Sequence, residues 1–163
     1  MLIKLKNKDK LIVDDFNIKC SIGKNGLKKE KKEGDKCTPK GIFQFIKIYY
    51  RKDRVSKPIT KIKTKIITKN LGWCNDPEHP LYNKEINIKK KISHEKLYRK
   101  DHKYDYILIL DYNFKKTIPY KGSAIFLHLT KNYCSTAGCV AVKKNDFLII
   151  SKLIGKTSKI KIS

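Results

Sequence analysis

The chain has 163 residues, 40% hydrophobic and 33% charged, about one domain's length with enough apolar material to bury a core. Its 39 basic residues outnumber 15 acidic ones for a formal net charge of +24, which brings nucleic acid or another anionic polymer forward as a partner. No apolar stretch is long enough to span a bilayer, and the opening MLIKLKNKDKLIVDD lacks the apolar run of a secretory leader and reads as a first strand.

Taken in order, residues 2–5, 11–13 and 16–22 are short strands, and 23–37 is a charged, glycine-bearing loop. Residues 38–41 (TPKG) are a turn into 42–50, an aromatic and β-branched run suited to a central strand. Alternation sets Phe43 and Phe45 on one face of that strand and Ile42, Ile46 and Ile48 on the other. Residues 61–69 alternate lysine with Ile62, Thr64 and Ile66, the pattern of a strand wet on one side. The segment 72–82 is rich in turn formers and holds the only tryptophan, Trp73, so it is read as a structured loop walling a cleft. Residues 93–100 are read as a short helix capped by Ser93, before a strand at 106–111. Phe147, Ile150 and Ile154 recur at helical spacing through 145–154, with Gly155 as the stop. The tail 158–162 alternates again and suits an edge strand guarded by lysines. The sum is mainly β with one or two short helices, in one domain.

The basic residues are nearly all lysine, with arginine only at Arg51, Arg54 and Arg99. Together with abundant Ile, Asn and Tyr, this is what A/T-rich codons produce, whereas phosphate-binding surfaces also use arginine forks. A solvated lysine coat is the plainer reading, and attraction to an anionic polymer the other. A basic nucleic-acid-binding β-domain without catalysis is the competing class. Against it, the charge spreads along the whole chain, no aromatic RNA-binding motif is present, and no specific nucleic acid is expected.

Five cysteines (Cys20, Cys37, Cys74, Cys134, Cys139) leave at least one thiol unpaired within a monomer. There is no C-x-x-C pair, and a zinc site built from His128, Cys134 and Cys139 lacks a fourth ligand, so neither a metal nor another cofactor is expected. Cys134 is read as a spectator thiol, the alternative being a disulfide trap for Cys139 under oxidation. His79, His94 and His102 lie in polar surroundings and are read as surface residues.

The chemistry concentrates in IFLHLTKNYCSTAGCVAV, residues 125–142. Apolar runs at 124–130 and 139–142 flank a loop at 131–138, which reads as a long-looped hairpin. Alternation puts His128 on a face with Phe126 and Cys139 on a face with Ala141, while Leu127 and Val140 point the other way. Paired strands would bring imidazole and thiol together, and a neighbouring imidazole lowers a thiol pKa, giving a usable thiolate at neutral pH. The approach Ser135-Thr136-Ala137-Gly138 allows a tight turn that aims amides at a developing oxyanion, with Ser135 and Thr136 supporting it. A histidine on an apolar strand is ordinarily a core histidine, and a cysteine before Val-Ala-Val a structural thiol; the loop between them argues for catalysis.

At these residues the chain resembles the L,D-transpeptidase (YkuD-like) catalytic domain, through His128 and Thr136-Ala137-Gly138-Cys139-Val140. The resemblance continues upstream in Lys32-Glu33-Gly34-Asp35, Thr38-Pro39-Lys40-Gly41-Ile42-Phe43, Tyr50-Arg51-Lys52-Asp53-Arg54 and Gly72-Trp73-Cys74-Asn75-Asp76, covering about residues 20–142. Two features depart from the family pattern: Ala137 stands where a second histidine is usual, and the spacing from His128 to Cys139 is short.

The resemblance implies a YkuD-like β-sandwich or mixed-sheet domain in which Cys139 attacks the bond between meso-diaminopimelate and D-alanine in a peptidoglycan stem peptide. A thioester forms, His128 moves the protons, and amides of Ala137, Gly138 and Cys139 hold the oxyanion. With water as acceptor the same site is an L,D-carboxypeptidase. Arg54 is the candidate fork for a stem carboxylate and Asp76 for an amine, with Trp73 and Ser135 as further substrate contacts; a structural ion pair and a turn cap are the alternatives for the first two. The implied location is the periplasm or cell envelope, which leaves three routes open: a truncated start, another export path, or action on wall fragments inside. A monomer is expected.

Overall fold

The computed structural model describes residues 1–88 and 91–163. Among these, the strands in chain order are β1 (Leu2–Lys6), β2 (Lys10–Val13), β3 (Phe16–Ser21), β4 (Leu27–Lys28), β5 (Thr38–Pro39), β6 (Gly41–Tyr50), β7 (Thr64–Ile66), β8 (Leu71–Cys74), β9 (Glu85–Asn87), β10 (His94–Lys96), β11 (Tyr106–Leu110), β12 (Phe126–Leu129) and β13 (Val140–Val142). A helix, α1 (Lys144–Leu153), and a last strand, β14 (Lys159–Ile162), follow. The architecture is mostly β and sandwich-like, as the sequence reading expects.

The main sheet is mixed and runs β11-β12-β13-β3-β2-β1-β14-β6-β7. The first part of β6 pairs with β14 and its later part with β11, so the sheet closes on itself. Inside lies the larger core, with Ile3, Leu11, Ile18, Phe45, Leu108, Leu127, Val140 and Ile160 from the strands and Phe147 and Ile150 from α1. The helix follows the predicted spacing, and Gly155 beyond it donates its amide to the Ser158 hydroxyl at 2.9 Å.

Several elements depart from the sequence reading. The tail strand is interior, since β14 lies parallel to β1 and antiparallel to β6; its lysines mark a wet face, not an exposed edge. Residues 93–100 contain β10, antiparallel to β8, and no helix: the Ser93 hydroxyl bonds the Asn75 side chain at 2.8 Å instead of capping, and Leu97 is fully buried. Thr38 and Pro39, read as a turn, pair in parallel with β4. A bulge in β6 opposite Leu108–Leu110 breaks strict alternation, so Ile48 joins Phe43 and Phe45 in the larger core. Within 61–69 only β7 pairs, and Ile67 is buried in place of Ile66.

A second core covers the outer face of β11 and β12. Tyr49, Ile107, Ile109 and Phe126 pack there against Leu71 and Trp73 of the small sheet β10-β8-β9, with Leu97, Tyr104 and Cys139. Both faces of these strands are therefore covered, which explains why YILIL and FLHL are apolar without alternation.

Candidate active site

β12 and β13 run parallel, with Leu127 opposite Val140 and His128 opposite Ala141. The hairpin reading fails here, because the loop at 130–139 carries the chain back to the start of β12 before β13 begins. The predicted faces hold nonetheless. Leu127 and Val140 enter the larger core, while His128, Cys139 and Ala141 line one cavity of about 360 Å³ on the other side.

The approach to Cys139 is braced by Thr136. Its amide donates to the Ile22 carbonyl at 2.9 Å, and its hydroxyl donates to the Cys139 carbonyl at 2.6 Å while accepting the Gly138 amide at 3.1 Å. Gly138 has φ 142°, and a Cβ built there would sit 2.8 Å from the Cys37 carbonyl oxygen. Backbone conformation and space both demand glycine. Gly138→Ala is expected to cost about 2 kcal/mol and to lower the unfolding midpoint in a urea titration, with the loop displaced from Cys37.

The thiol is buried and neutral. It donates to the Ala124 carbonyl at 3.1 Å and accepts the Phe126 amide at 3.4 Å. Burial, with the charge of Glu95 second, pushes its pKa up to about 12. His128 Nδ1 lies 2.9 Å from the Leu129 carbonyl, which can only accept, so Nδ1 carries the proton and Nε2 is the basic nitrogen. Burial lowers this imidazole to about 4. The expected resting thiolate is therefore absent: the two groups share a cavity without a hydrogen bond between them, and burial is the largest influence on both, disfavouring the charged form of each.

The depressed histidine has a consequence for stability. An unfolded chain protonates His128 near pH 6.5, and the folded chain only near pH 4. The unfolded state thus binds more protons in between, and the stability present above pH 6.5 is lost as pH falls towards 4. His128→Gln should flatten that part of the profile, measured as thermal midpoints between pH 7 and 4.

Of the other predicted residues, Ser135, Thr136, Ala137 and Gly138 line the cavity. Arg54, Asp76 and Trp73 do not. Arg54 donates to the Lys100 and Asp101 carbonyls and pairs with Asp105 at 3.3 Å, a structural clamp. Asp76 caps a turn by accepting the Glu78 amide at 3.1 Å. Trp73 is 2% exposed, its ring edge-on to Phe126 at 5.2 Å and its Nε1 donating to Asn83 Oδ1 at 2.8 Å. An indole inside an apolar layer gains more from burial than from walling a cleft.

The cavity's charge comes from Lys31, Glu33, Lys36, Glu95, Arg99, Lys103 and Lys131, with Tyr104 beside them, and sequence reasoning singled out none of these as a site residue. Lys31 is buried, with Nζ 2.6 Å from Asp35, and its stem passes Gly122 and Gly138. Burial alone would raise Asp35, but hydrogen bonds from Lys31 and from the Lys32 and Cys37 amides hold it below the usual range. The Lys32-Glu33-Gly34-Asp35 motif thus ties this loop to the nucleophile's turn. Buried Arg51 grips Asp53 with two nitrogens and donates its third to the Arg99 carbonyl at 2.6 Å, so the second motif fixes the segment carrying Arg99. The signal for Glu95 and Arg99 was the charge on 94–103, obscured by reading 93–100 as a helix.

Among the described residues no cluster of His, Cys, Asp or Glu is arranged to hold a metal ion, and no helix is long and apolar enough to cross a membrane. Searches of curated proteins and of solved structures returned no match. A family model for the L,D-transpeptidase catalytic domain, YkuD, matches residues 2–162. Matched over nearly its whole length, the chain belongs to the L,D-transpeptidase catalytic domain family.

Proposed function

We propose that Cys139 is the nucleophile of an L,D-transpeptidase acting on peptidoglycan stem peptides. The observation that carries this reading is one cavity lined by both Cys139 and His128, with the Nδ1 proton of the ring committed to the Leu129 carbonyl. Nε2 is then the acceptor for the thiol proton as the sulfur leaves the Ala124 carbonyl for the substrate. The carbonyl attacked belongs to the bond between meso-diaminopimelate and D-alanine. The sulfur–carbon bond forms, the carbon–nitrogen bond breaks, and His128 hands its proton to the departing D-alanine amine. The ring next takes a proton from the amine of a second stem as its nitrogen bonds the acyl carbon, the carbon–sulfur bond breaks, and the ring returns that proton to the sulfur. Gly138 spends its amide on Thr136, so Ala137 and Cys139 are the oxyanion donors in this scheme. Ala137 offers no side-chain proton, so His128 serves both half-reactions.

Water in place of the second amine gives an L,D-carboxypeptidase from the same thioester. Family membership suggests action in the cell envelope, where the net charge of +24 would also favour association with anionic wall polymer. The test is mass spectrometry of the intact protein after incubation with a tetrapeptide stem or a carbapenem. An acyl adduct mapped to Cys139 is expected; an unmodified chain after long incubation with both would overturn the reading.

A further inference from the structure

The substrate contacts expected at Arg54 and Asp76 lie outside the cavity, yet the cavity contains an acid and an arginine of its own. Glu95 accepts a hydrogen bond from the Tyr104 hydroxyl at Oε1, which leaves Oε2 for a ligand. Tyr104 in turn packs edge-on against His128 at 5.1 Å. The other cavity acid, Glu33, is engaged by the Tyr82 hydroxyl. Glu95 also stands close enough to Cys139 for its charge to disfavour the thiolate, a cost that a ligand cation seated on Glu95 would remove.

Arg99 faces the same cavity with its position set from behind. Asp101 takes Nε at 3.0 Å and Nη2 at 2.6 Å, Arg51 holds its carbonyl, the guanidinium lies 5.0 Å over the Tyr104 ring within the field of Glu95, and Nη1 makes no hydrogen bond among the described residues. Lys103, also on the cavity wall, feels the charge of Asp101, and its ammonium makes no hydrogen bond or ion pair among the described residues. A half-buried acid beside the nucleophile and cations along one segment form a field with two signs. A purely anionic peptide would leave Glu95 opposed, and a purely cationic one would leave Arg99 and Lys103 opposed.

We infer that Glu95 and Arg99, with Lys103, are specificity-determining residues that recognise one carbon bearing both an ammonium and a carboxylate, Glu95 taking the ammonium and Arg99 with Lys103 the carboxylate. The inference rests on the stem-peptide reading above and names the part of the stem that is read: the far, zwitterionic end of a diamino diacid. A diamino acid without the second carboxylate, or a diacid without the second amine, satisfies only half of the field.

Binding separates this from the chemistry. Cys139→Ala protein is titrated calorimetrically with three tetrapeptides differing only at the third residue: diaminopimelate, lysine (no far carboxylate) and 2-aminopimelate (no far amine). Diaminopimelate should bind about tenfold tighter than either, the worth of one charge-assisted hydrogen bond. Adding Glu95→Gln, whose amide oxygen still accepts from Tyr104, should erase the preference over 2-aminopimelate and keep that over lysine. Adding Arg99→Met should do the reverse, with Arg99→Gln as the second neutral variant if the methionine protein does not fold, and an unchanged preference over lysine in these variants overturns the inference. Equal affinity for the three peptides, or an unchanged preference in Glu95→Gln, overturns the inference. Discrimination in binding without any acyl adduct on Cys139 would instead sink the thioester reading and leave this one standing.

Discussion

Replacing Cys139 with alanine should abolish the acyl adduct with both tetrapeptide and carbapenem while leaving the fold intact. The side chain lost is small, and its two hydrogen bonds, to Ala124 and from Phe126, are weak ones to sulfur. Intact-protein mass reads the first expectation, and a near-native thermal midpoint the second. His128→Gln should leave a residual, slow adduct, with acylation reduced about 10²- to 10⁴-fold, the range for losing a positioned general base. The two variants separate nucleophile from base. If His128→Gln acylated at the native rate, the ring would be a core histidine and another group would have to take the thiol proton. Because the resting thiol is held near pKa 12, activation must accompany substrate entry. Alkylation of the free protein by iodoacetamide at neutral pH is therefore expected at exposed Cys134 before buried Cys139.

The largest stability loss is expected for Trp73→Ala. Removing a buried indole from between the small sheet and β12 costs about 3–5 kcal/mol, a large share of the 5–15 kcal/mol typical of a domain. The effect should reach the nucleophile. Asn83 Oδ1 accepts from both Trp73 Nε1 and the Ala124 amide, and the Ala124 carbonyl receives the Cys139 thiol. Ala124 holds φ 53°, a conformation its side chain disfavours and its neighbours impose. Urea unfolding reads the loss. Trp73→Phe, which keeps most of the packing and drops the hydrogen bond, should cost far less than the alanine variant. Comparable losses in both would show that the Asn83 bond, and not packing, is what the indole supplies.

What the sequence made legible follows from range. Alternation is a local property, and it assigned the faces of 124–130 and 139–142 correctly even though the strands pair parallel. Strand direction depends on where a ten-residue loop runs, which no local pattern encodes. The small sheet was illegible for a related reason: β8 and β10 pair over about twenty residues, and His94–Lys96 is too short to declare itself against a charged background. Arginine was recognised as the natural carboxylate fork, but which of Arg51, Arg54 and Arg99 faces the cavity depends on ion pairs with Asp53, Asp101 and Asp105. The pairs with Asp53 and Asp105 make struts of Arg51 and Arg54, while Asp101 holds Arg99 on the cavity wall.

The closed sheet has a kinetic corollary. Among the described residues, strand β14 supplies the step between β1 and β6 in the strand order, joining residues 2–4 to 159–161. During synthesis the ring stays open until residue 162 has cleared the ribosome, with the edges of β1 and β6 unguarded meanwhile. Lysines at positions 4 and 6 then serve a second purpose, keeping unfinished chains from pairing with one another through the waiting edge of β1.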